Sequence, residues 1–257
     1  MGTRLSIVTV VLNAKEDLAL TLKSLRDQKI QDCEFILIDG VSTDGTQDVI
    51  NKHMDLIDHF VTEPDNGLYD AMNKGKQLAS GDYIIFINAG DVFVNDMVLH
   101  NLCASLHKDD ILFTGRTILH YADSYKEAPN FHHQSVLFPR SFYSNESYDT
   151  VNYKIAGEVD YILRARAKLD VETLDLGTVY SKLEGFGISK YSTINGMTQI
   201  HNEIVKAMKT NNKPLPKFYL LRSIMKYLAF KLGGKFLVSR LLFASYRPVS
   251  LKLNPQH

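Results

Sequence analysis

Several acids in this chain fall where chemistry is expected. Asp39 closes the apolar run Glu34-Phe-Ile-Leu-Ile38, and Asp91 closes Tyr83-Ile-Ile-Phe-Ile87 through Asn88, Ala89 and Gly90. Asp65-Asn66-Gly67 precedes a helical stretch that carries Asp70, Asn73 and Lys74. The first N–H groups of such a helix suit a phosphate or sugar oxygen, and Asp65 can hold sugar hydroxyls beside them. Lys74 either reaches a phosphate or belongs to a solvated helix face. Thr9, Leu12 and Asn13, at the end of the first apolar run, offer with Asp39 the apolar slot and hydrogen-bond partners that a nucleotide base needs; Asp39 alternatively caps its own turn. Asp44 opens Asp-Gly-Thr and serves either as a binding group or as a helix cap. In the second half His132, His133 and Gln134 precede a strand, and Glu158 and Asp160 start a helix, two residues apart and so on different sides of it.

The elements that must position these groups follow from hydrophobic patterning. The chain has 257 residues, 45% apolar and 23% charged, the profile of a folded globular protein and not of a disordered or fibrous one. From residue 4 to 107 short β-branched runs alternate with helical periods, which predicts βαβ units and a mostly parallel sheet. Strands are expected at 5–11, 34–38, 59–62 and 83–87, and helices at 15–29, from about 46, and at 68–79. Beyond 107 the pattern predicts strands near 111–120, 135–139 and 171–180 and helices at 157–168 and 190–209. Asp39 and Asp91 then share the crevice outside the strand carboxyl ends, where open α/β sheets bind ligands.

Familiar alternatives are excluded. There is no phosphate-binding G-x-x-x-x-G-K-[ST] loop and no G-x-G-x-x-G after a strand; Gly185-Phe-Gly187 lacks the third glycine. Cys and His show no metal-ligand spacing, and neither G-x-S-x-G nor a cysteine-protease signature occurs. No nucleic-acid motif is present.

Ser6-Ile-Val-Thr-Val-Val-Leu-Asn13, Ile38-Asp-Gly-Val-Ser-Thr-Asp-Gly-Thr46 and Phe86-Ile-Asn-Ala-Gly-Asp91, with Asp65-Asn-Gly-Leu-Tyr-Asp-Ala-Met-Asn-Lys-Gly75 between them, together resemble the inverting glycosyltransferases of family 2. The resemblance implies a GT-A fold, α/β with a Rossmann-like, mostly parallel nucleotide-binding sheet, and a nucleotide-diphosphate sugar as donor. It implies that Asp39 accepts from a uracil ring N–H. It also implies that Asp91 holds Mn²⁺ or Mg²⁺ against the donor's phosphates, beside Asn88, Ala89 and Gly90. Gly90 stands where the family often has a further acid, so weak metal affinity is expected. Ile155-Ala-Gly-Glu-Val-Asp-Tyr-Ile-Leu-Arg164 resembles the segment that carries the catalytic base, with Glu158 in that role and Asp160 as the alternative; a first-turn acid that complements the helix dipole is the bland reading. Phe131-His-His-Gln-Ser135 resembles the acceptor side, where His132, His133 and Gln134 would orient acceptor or diphosphate. Arg164 and Arg166 read as partners for nearby acids. The subfamily implied works on lipid-linked saccharides of bacterial O-antigen, capsule or exopolysaccharide, at the cytoplasmic face of the inner membrane.

Two rivals remain. A sugar-phosphate nucleotidyltransferase would show a Gly-rich basic loop, which residues 9–17 lack. A non-catalytic sugar-nucleotide or membrane-binding module predicts that Glu158 and Asp91 are dispensable.

The organisation expected is a donor-binding half, 1–110, an acceptor-binding half, 111–203, and a tail, 204–257. All 29 acids lie at or before Glu203, whereas 11 of the 29 Lys and Arg residues follow it, so a net charge of zero hides an acidic body and a basic tail. Between Pro216 and Tyr246, Lys and Arg interleave with Leu, Phe and Tyr. An arc of Tyr219, Leu220, Tyr227 and Phe230 suits either an anionic membrane surface or the acidic body. No apolar stretch reaches the roughly 18 residues of a membrane-spanning helix. Cys33 and Cys103 are far apart in sequence and read as core residues of a reduced protein. The first residues read as a strand, not a signal peptide.

Overall fold

The computed structural model describes residues 5–29, 33–106, 110–121, 124–127, 132–182 and 194–215, together with positions 219, 224, 225, 228, 232, 247 and 248. Its first half alternates strand and helix: β1 (Leu5–Val11), α1 (Lys15–Arg26), β2 (Cys33–Asp39), α2 (Thr46–Asn51), β3 (His59–Thr62), α3 (Leu68–Leu78), β4 (Tyr83–Phe86), β5 (Asp91–Val92) and α4 (Val98–Ser105). There follow β6 (Ile111–Tyr121), β7 (Ser124–Glu127), β8 (Val136–Pro139), α5 (Arg140–Tyr143), α6 (Gly157–Lys168), β9 (Asp170–Lys182), α7 (Ile194–Thr210) and the short β10 (Arg247–Pro248).

One sheet runs β10-β7-β6-β8-β4-β1-β2-β3, with β9 beside β6 and paired to β5. Strands β4, β1, β2 and β3 are mutually parallel, and β8 joins antiparallel at β4, carrying the sheet from the first half into the second. All seven residues of β1 are buried, as a strand covered on both faces requires. Alternation sorts its side chains: Leu5, Ile7 and Val11 pack with Leu18, Leu22 and Leu25 of α1 and with Leu99 and Leu102 of α4. Val8 and Val10 meet Met72 of α3 and, through Phe86, the α5–α6 layer that holds Phe142, Tyr161 and Ile162. On this face α3 comes so close that a Cβ at Gly75 would lie 2.4 Å from Cγ1 of Val8.

At the end of the sheet opposite the strand carboxyl ends, Glu34 is 1% exposed and accepts from Ser6 Oγ at 2.5 Å and from the amide of Gly81 at 3.0 Å, tying β1, β2 and the turn before β4 together. Cys33 and Cys103, distant in sequence, meet with their sulfurs 3.7 Å apart. The patterning missed β5, β7, β10 and α5, all four residues or shorter, because such elements show no periodicity of their own, and it also missed the eight-residue α4. Of the tail, Tyr219 stacks on His201 of α7 at 5.3 Å, and Arg247–Pro248 pairs with β7. Leu220, Tyr227, Phe230 and Gly185–Gly187 lie outside the described residues.

Candidate active site

The carboxyl ends of β1, β2 and β4 converge, yet several of the polar residues there are consumed by the scaffold. Asp39 is fully buried. Its oxygens accept from the Ser42 amide at 3.1 and 3.2 Å, and Oδ2 also accepts from Gln47 Nε2 at 3.3 Å and Thr62 Oγ1 at 3.0 Å. In this structure Asp39 caps its own turn. Thr9 is equally enclosed and donates to the Ile87 carbonyl at 2.7 Å, so it lines no slot. Asn73 is used at both ends by the backbone of Tyr148, at 3.0 and 2.9 Å. Lys74 Nζ donates to the Pro64 carbonyl at 2.7 Å and lies 2.8 Å from Glu63, pinning the 63–65 loop. Asp44 accepts from Thr46 Oγ1 at 2.6 Å and from the amides of Thr46 and Lys15, joining the starts of α1 and α2; the Thr46 hydroxyl is the main reason its carboxyl is held below the ordinary range.

Other expected donor-side residues stay at the surface of the crevice. Leu12 is half exposed, and Asn13, at φ 49°, accepts from the Thr43 amide at 2.8 Å. Asp65 accepts from the Gly67 amide at 2.8 Å while its Oδ2 occupies space that a Cβ at Gly40 would enter, 2.5 Å away. Asn66 and Gly67 are exposed ahead of α3, with the Asn66 amide held by Asp70 at 2.9 Å. Gly67 has φ +112° and open space around it, a conformation that suits glycine. At the third turn Gly90 takes φ +96° and Asp91, 4% exposed, accepts the Asn88 amide at 3.0 Å. Ala89 packs against the core.

In the second half the picture reverses. Glu158 stands in the first turn of α6 with its side chain 24% exposed, and Oε2 accepts from Tyr69 OH at 3.2 Å. Nδ1 of His133 lies 3.5 Å from the same oxygen. Burial alone would raise the Glu158 carboxyl, but His133, then His132 and Tyr69, more than offset this and hold it below the ordinary carboxylate range. Burial lowers His132, and burial with the Glu158 charge keeps the Tyr69 hydroxyl protonated well above its usual pKa. Asp160 is committed elsewhere: it is 3% exposed and bound by Arg164 Nε at 2.8 Å and Asn211 Nδ2 at 2.9 Å. Arg164 therefore is the structural partner expected; for Arg166, burial lowers the guanidinium.

Residues 6–162 match the model of glycosyl transferase family 2, more than half of the chain. The chain belongs to glycosyl transferase family 2. It is 28% identical over 199 residues to a PGL/p-HBAD biosynthesis glycosyltransferase of Mycobacterium bovis, covering 71% of this chain and 77% of that one. The putative glycosyltransferase EpsH of Bacillus subtilis is 24% identical over 179 residues, with 61% and 52% covered. Among solved structures, the Pyrobaculum calidifontis mannosyltransferase PcManGT, in complex with GDP-Man and Mn²⁺, superposes with a TM-score of 0.66 at 16% identity over 94% of this chain and 79% of that one. S. aureus TarS in complex with UDP-GlcNAc gives 0.61 at 15% identity, covering 90% and 76%. The fold of this family 2 glycosyltransferase is GT-A.

Among the described residues no three His, Cys, Asp or Glu gather as a metal cage, so Asp91 offers one carboxylate. One carboxylate with phosphate oxygens and waters is an adequate oxygen set for Mg²⁺ or Mn²⁺, so the residues fit an ion that arrives with a diphosphate. Two residues around Glu158, Tyr69 and Glu203, escaped sequence reasoning. Tyr69 belongs to a quoted motif but carries no obvious chemistry; a Cβ at Gly157 would lie 2.8 Å from its ring, so glycine there lets its hydroxyl reach Glu158. Glu203, the last acid before the tail, accepts the amides of Lys154, Ile155 and Ala156 at 3.1, 2.8 and 2.8 Å and so holds the segment leading to Glu158; its place at the charge boundary was the one signal. His133 is turned inward, 2% exposed, not toward an acceptor.

Proposed function

We propose that this glycosyltransferase inverts: it moves a hexose from a nucleotide-diphosphate donor, UDP-linked in the first instance, onto a lipid-linked polyprenyl-diphosphate saccharide during assembly of a bacterial surface polysaccharide. The observation that carries the reading is the state of Glu158, an ionised, reachable carboxylate held by His133 and Tyr69 while Asp160 is locked to Arg164 and Asn211. Glu158 takes the proton of the acceptor hydroxyl as that oxygen bonds to the anomeric carbon; the bond to the diphosphate breaks on the opposite face and its electron pair leaves with the nucleoside diphosphate. An α-linked donor then gives a β-glycoside. Asp91 is the residue that would hold Mn²⁺ or Mg²⁺, which neutralises charge on the leaving diphosphate. Leu12, Asn13, Asp65, Asn66 and Gly67 supply the donor-facing surface, and Gln134 with His132 borders the acceptor side.

A lipid-linked acceptor is supported by the tail. Ile224, Met225, Leu228 and Leu232 are helical, at spacings of one and two turns, and all are exposed, Leu232 by 84%. Of the arc expected from the sequence, Tyr219 is stacked on His201, and Leu220, Tyr227 and Phe230 lie outside the described residues. Apolar side chains in water within a segment that has no acid suit an anionic bilayer surface, with the enzyme peripheral at the cytoplasmic face.

The experiment is nucleotide release from UDP-, GDP- and dTDP-sugars, with and without Mn²⁺, in the presence of a GlcNAc- or GalNAc-diphosphate-lipid. Acceptor-dependent, metal-dependent release of UDP supports the reading. Release of GDP alone moves the donor to a GDP-sugar, and a folded sample that turns over none of them overturns the lipid-linked saccharide as acceptor.

A further inference from the structure

We propose that His133 is a positioning residue that directs Glu158 and couples it, through Asn88, to the turn that carries Asp91; this rests on Glu158 being the base. The imidazole lies between two motifs 70 residues apart, in the short 3₁₀ turn His133–Ser135 ahead of β8. Its Nε2 is 3.0 Å from Asn88 Nδ2, and its Nδ1 faces Glu158 Oε2 at 3.5 Å. The arrangement that serves all three side chains is a neutral ring, with Nε2 accepting from Asn88 and Nδ1–H directed at the carboxylate. The backbone amide of Asn88 in turn donates to Asp91 Oδ2 at 3.0 Å, so one continuous path joins Asp91 to Glu158.

Unmet polar atoms lie on this path and beside it. His133 Nδ1, Asn88 Oδ1 and Gln134 Oε1 are buried and have no hydrogen-bond partner among the described residues. Burying such atoms without a partner is unfavourable. Catalytic hydrogen bonds are often long before substrate binds and tighten in the complex, and the Nδ1 to Oε2 separation, at the outer limit of a hydrogen bond, fits that behaviour. The ring itself is fixed from below by the edge of Phe86, with centroids 6.1 Å apart. The groups that face Glu158 are Tyr69 from α3, His132 and His133 from the 3₁₀ turn, and Tyr148 from the segment before α6.

Two substitutions separate the arms. In His133→Asn the amide nitrogen takes the place of Nδ1 and still donates to Glu158 but the side chain cannot reach Asn88; in His133→Gln the amide oxygen takes the place of Nε2 and still accepts from Asn88, while nothing donates to Glu158 in place of Nδ1. Both are compared with wild type and Glu158→Gln by kcat/KM against pH, donor KM and thermal midpoint. The expected result is an acid limb that moves up by about one pH unit or more in His133→Gln. In His133→Asn the limb stays and donor KM rises several-fold. Both variants losing activity evenly at all pH values, with limb and donor KM unmoved, would overturn the proposal and leave His133 a packing residue. Glu158→Gln retaining wild-type turnover would instead remove the base assignment beneath it, a distinct outcome.

Discussion

The two halves of the crevice treat their polar side chains in opposite ways. On the donor side, Thr9, Asp39, Asn73 and Lys74 spend their hydrogen-bonding capacity on Ile87, Ser42, Gln47, Thr62, Tyr148, Pro64 and Glu63. On the side of α6 and the 3₁₀ turn, His133 and Gln134 keep buried atoms unmet and Glu158 stays partly open; Asn88, in the turn before Asp91 where the two sides meet, likewise keeps its Oδ1 unmet. Satisfied polar groups make a rigid frame, and polar groups with unused capacity are open to a further partner. Recognisable motif residues thus divide into those that shape the crevice and those that act in it.

Substitutions can break this division. Glu158→Gln is expected to lower kcat by about 10²–10⁴-fold with an unchanged melting midpoint, the range for loss of a general base. Asp160→Asn is expected to do the reverse, losing on the order of 2 kcal/mol of stability because Arg164 and Asn211 lose their buried partner, while the folded fraction keeps most of its turnover. Differential scanning calorimetry beside the kinetic assay separates the two.

Asp39→Asn probes the frame from the donor side. It replaces a carboxylate that accepts from three residues with an amide that must point a donor at one of them, and about 2 kcal/mol of stability should go. A variant with an unaltered midpoint but no nucleotide binding by calorimetric titration would show that Asp39 reads the base after all. Gly75→Ala should cost about 1–3 kcal/mol through overpacking on Val8, visible as a fall of several degrees in the midpoint with kcat little changed. At the small end, Arg26 and Asp55 form a two-pronged ion pair at 2.8 Å on an exposed surface, and Arg26→Ala should leave both midpoint and rate where they were.

Much of the frame was legible. Strand runs such as Leu5–Val11 and Cys33–Asp39 announce themselves because both faces are covered, and helices such as Gly157–Lys168 carry acids in the first turn and basic residues in the last. The families of acids at strand ends could be placed in one crevice for the same reason. What could not be read was how each side chain chooses among partners. Asp39 in a binding motif and Asp39 as a turn cap are the same letters; the deciding donors, Gln47 and Thr62, come from other elements. Tyr69 and Glu158 are 89 residues apart, and the contact of Cys33 with Cys103 spans 70, distances over which patterning is silent. Between Glu158 and Asp160 the sequence favours neither by chemistry, whereas Asn211 and Arg164 settle which carboxylate is occupied.

The central claim is a single displacement in which Glu158 acts as a base and forms no bond to the sugar. The most direct measurement is the anomeric configuration of the product by proton NMR, with the mass of the enzyme quenched during turnover of an α-linked donor. The account predicts a β-glycoside from the first detectable product and an unmodified protein mass. A retained α-linkage, or a glycosyl residue attached to the peptide that carries Glu158, would contradict it.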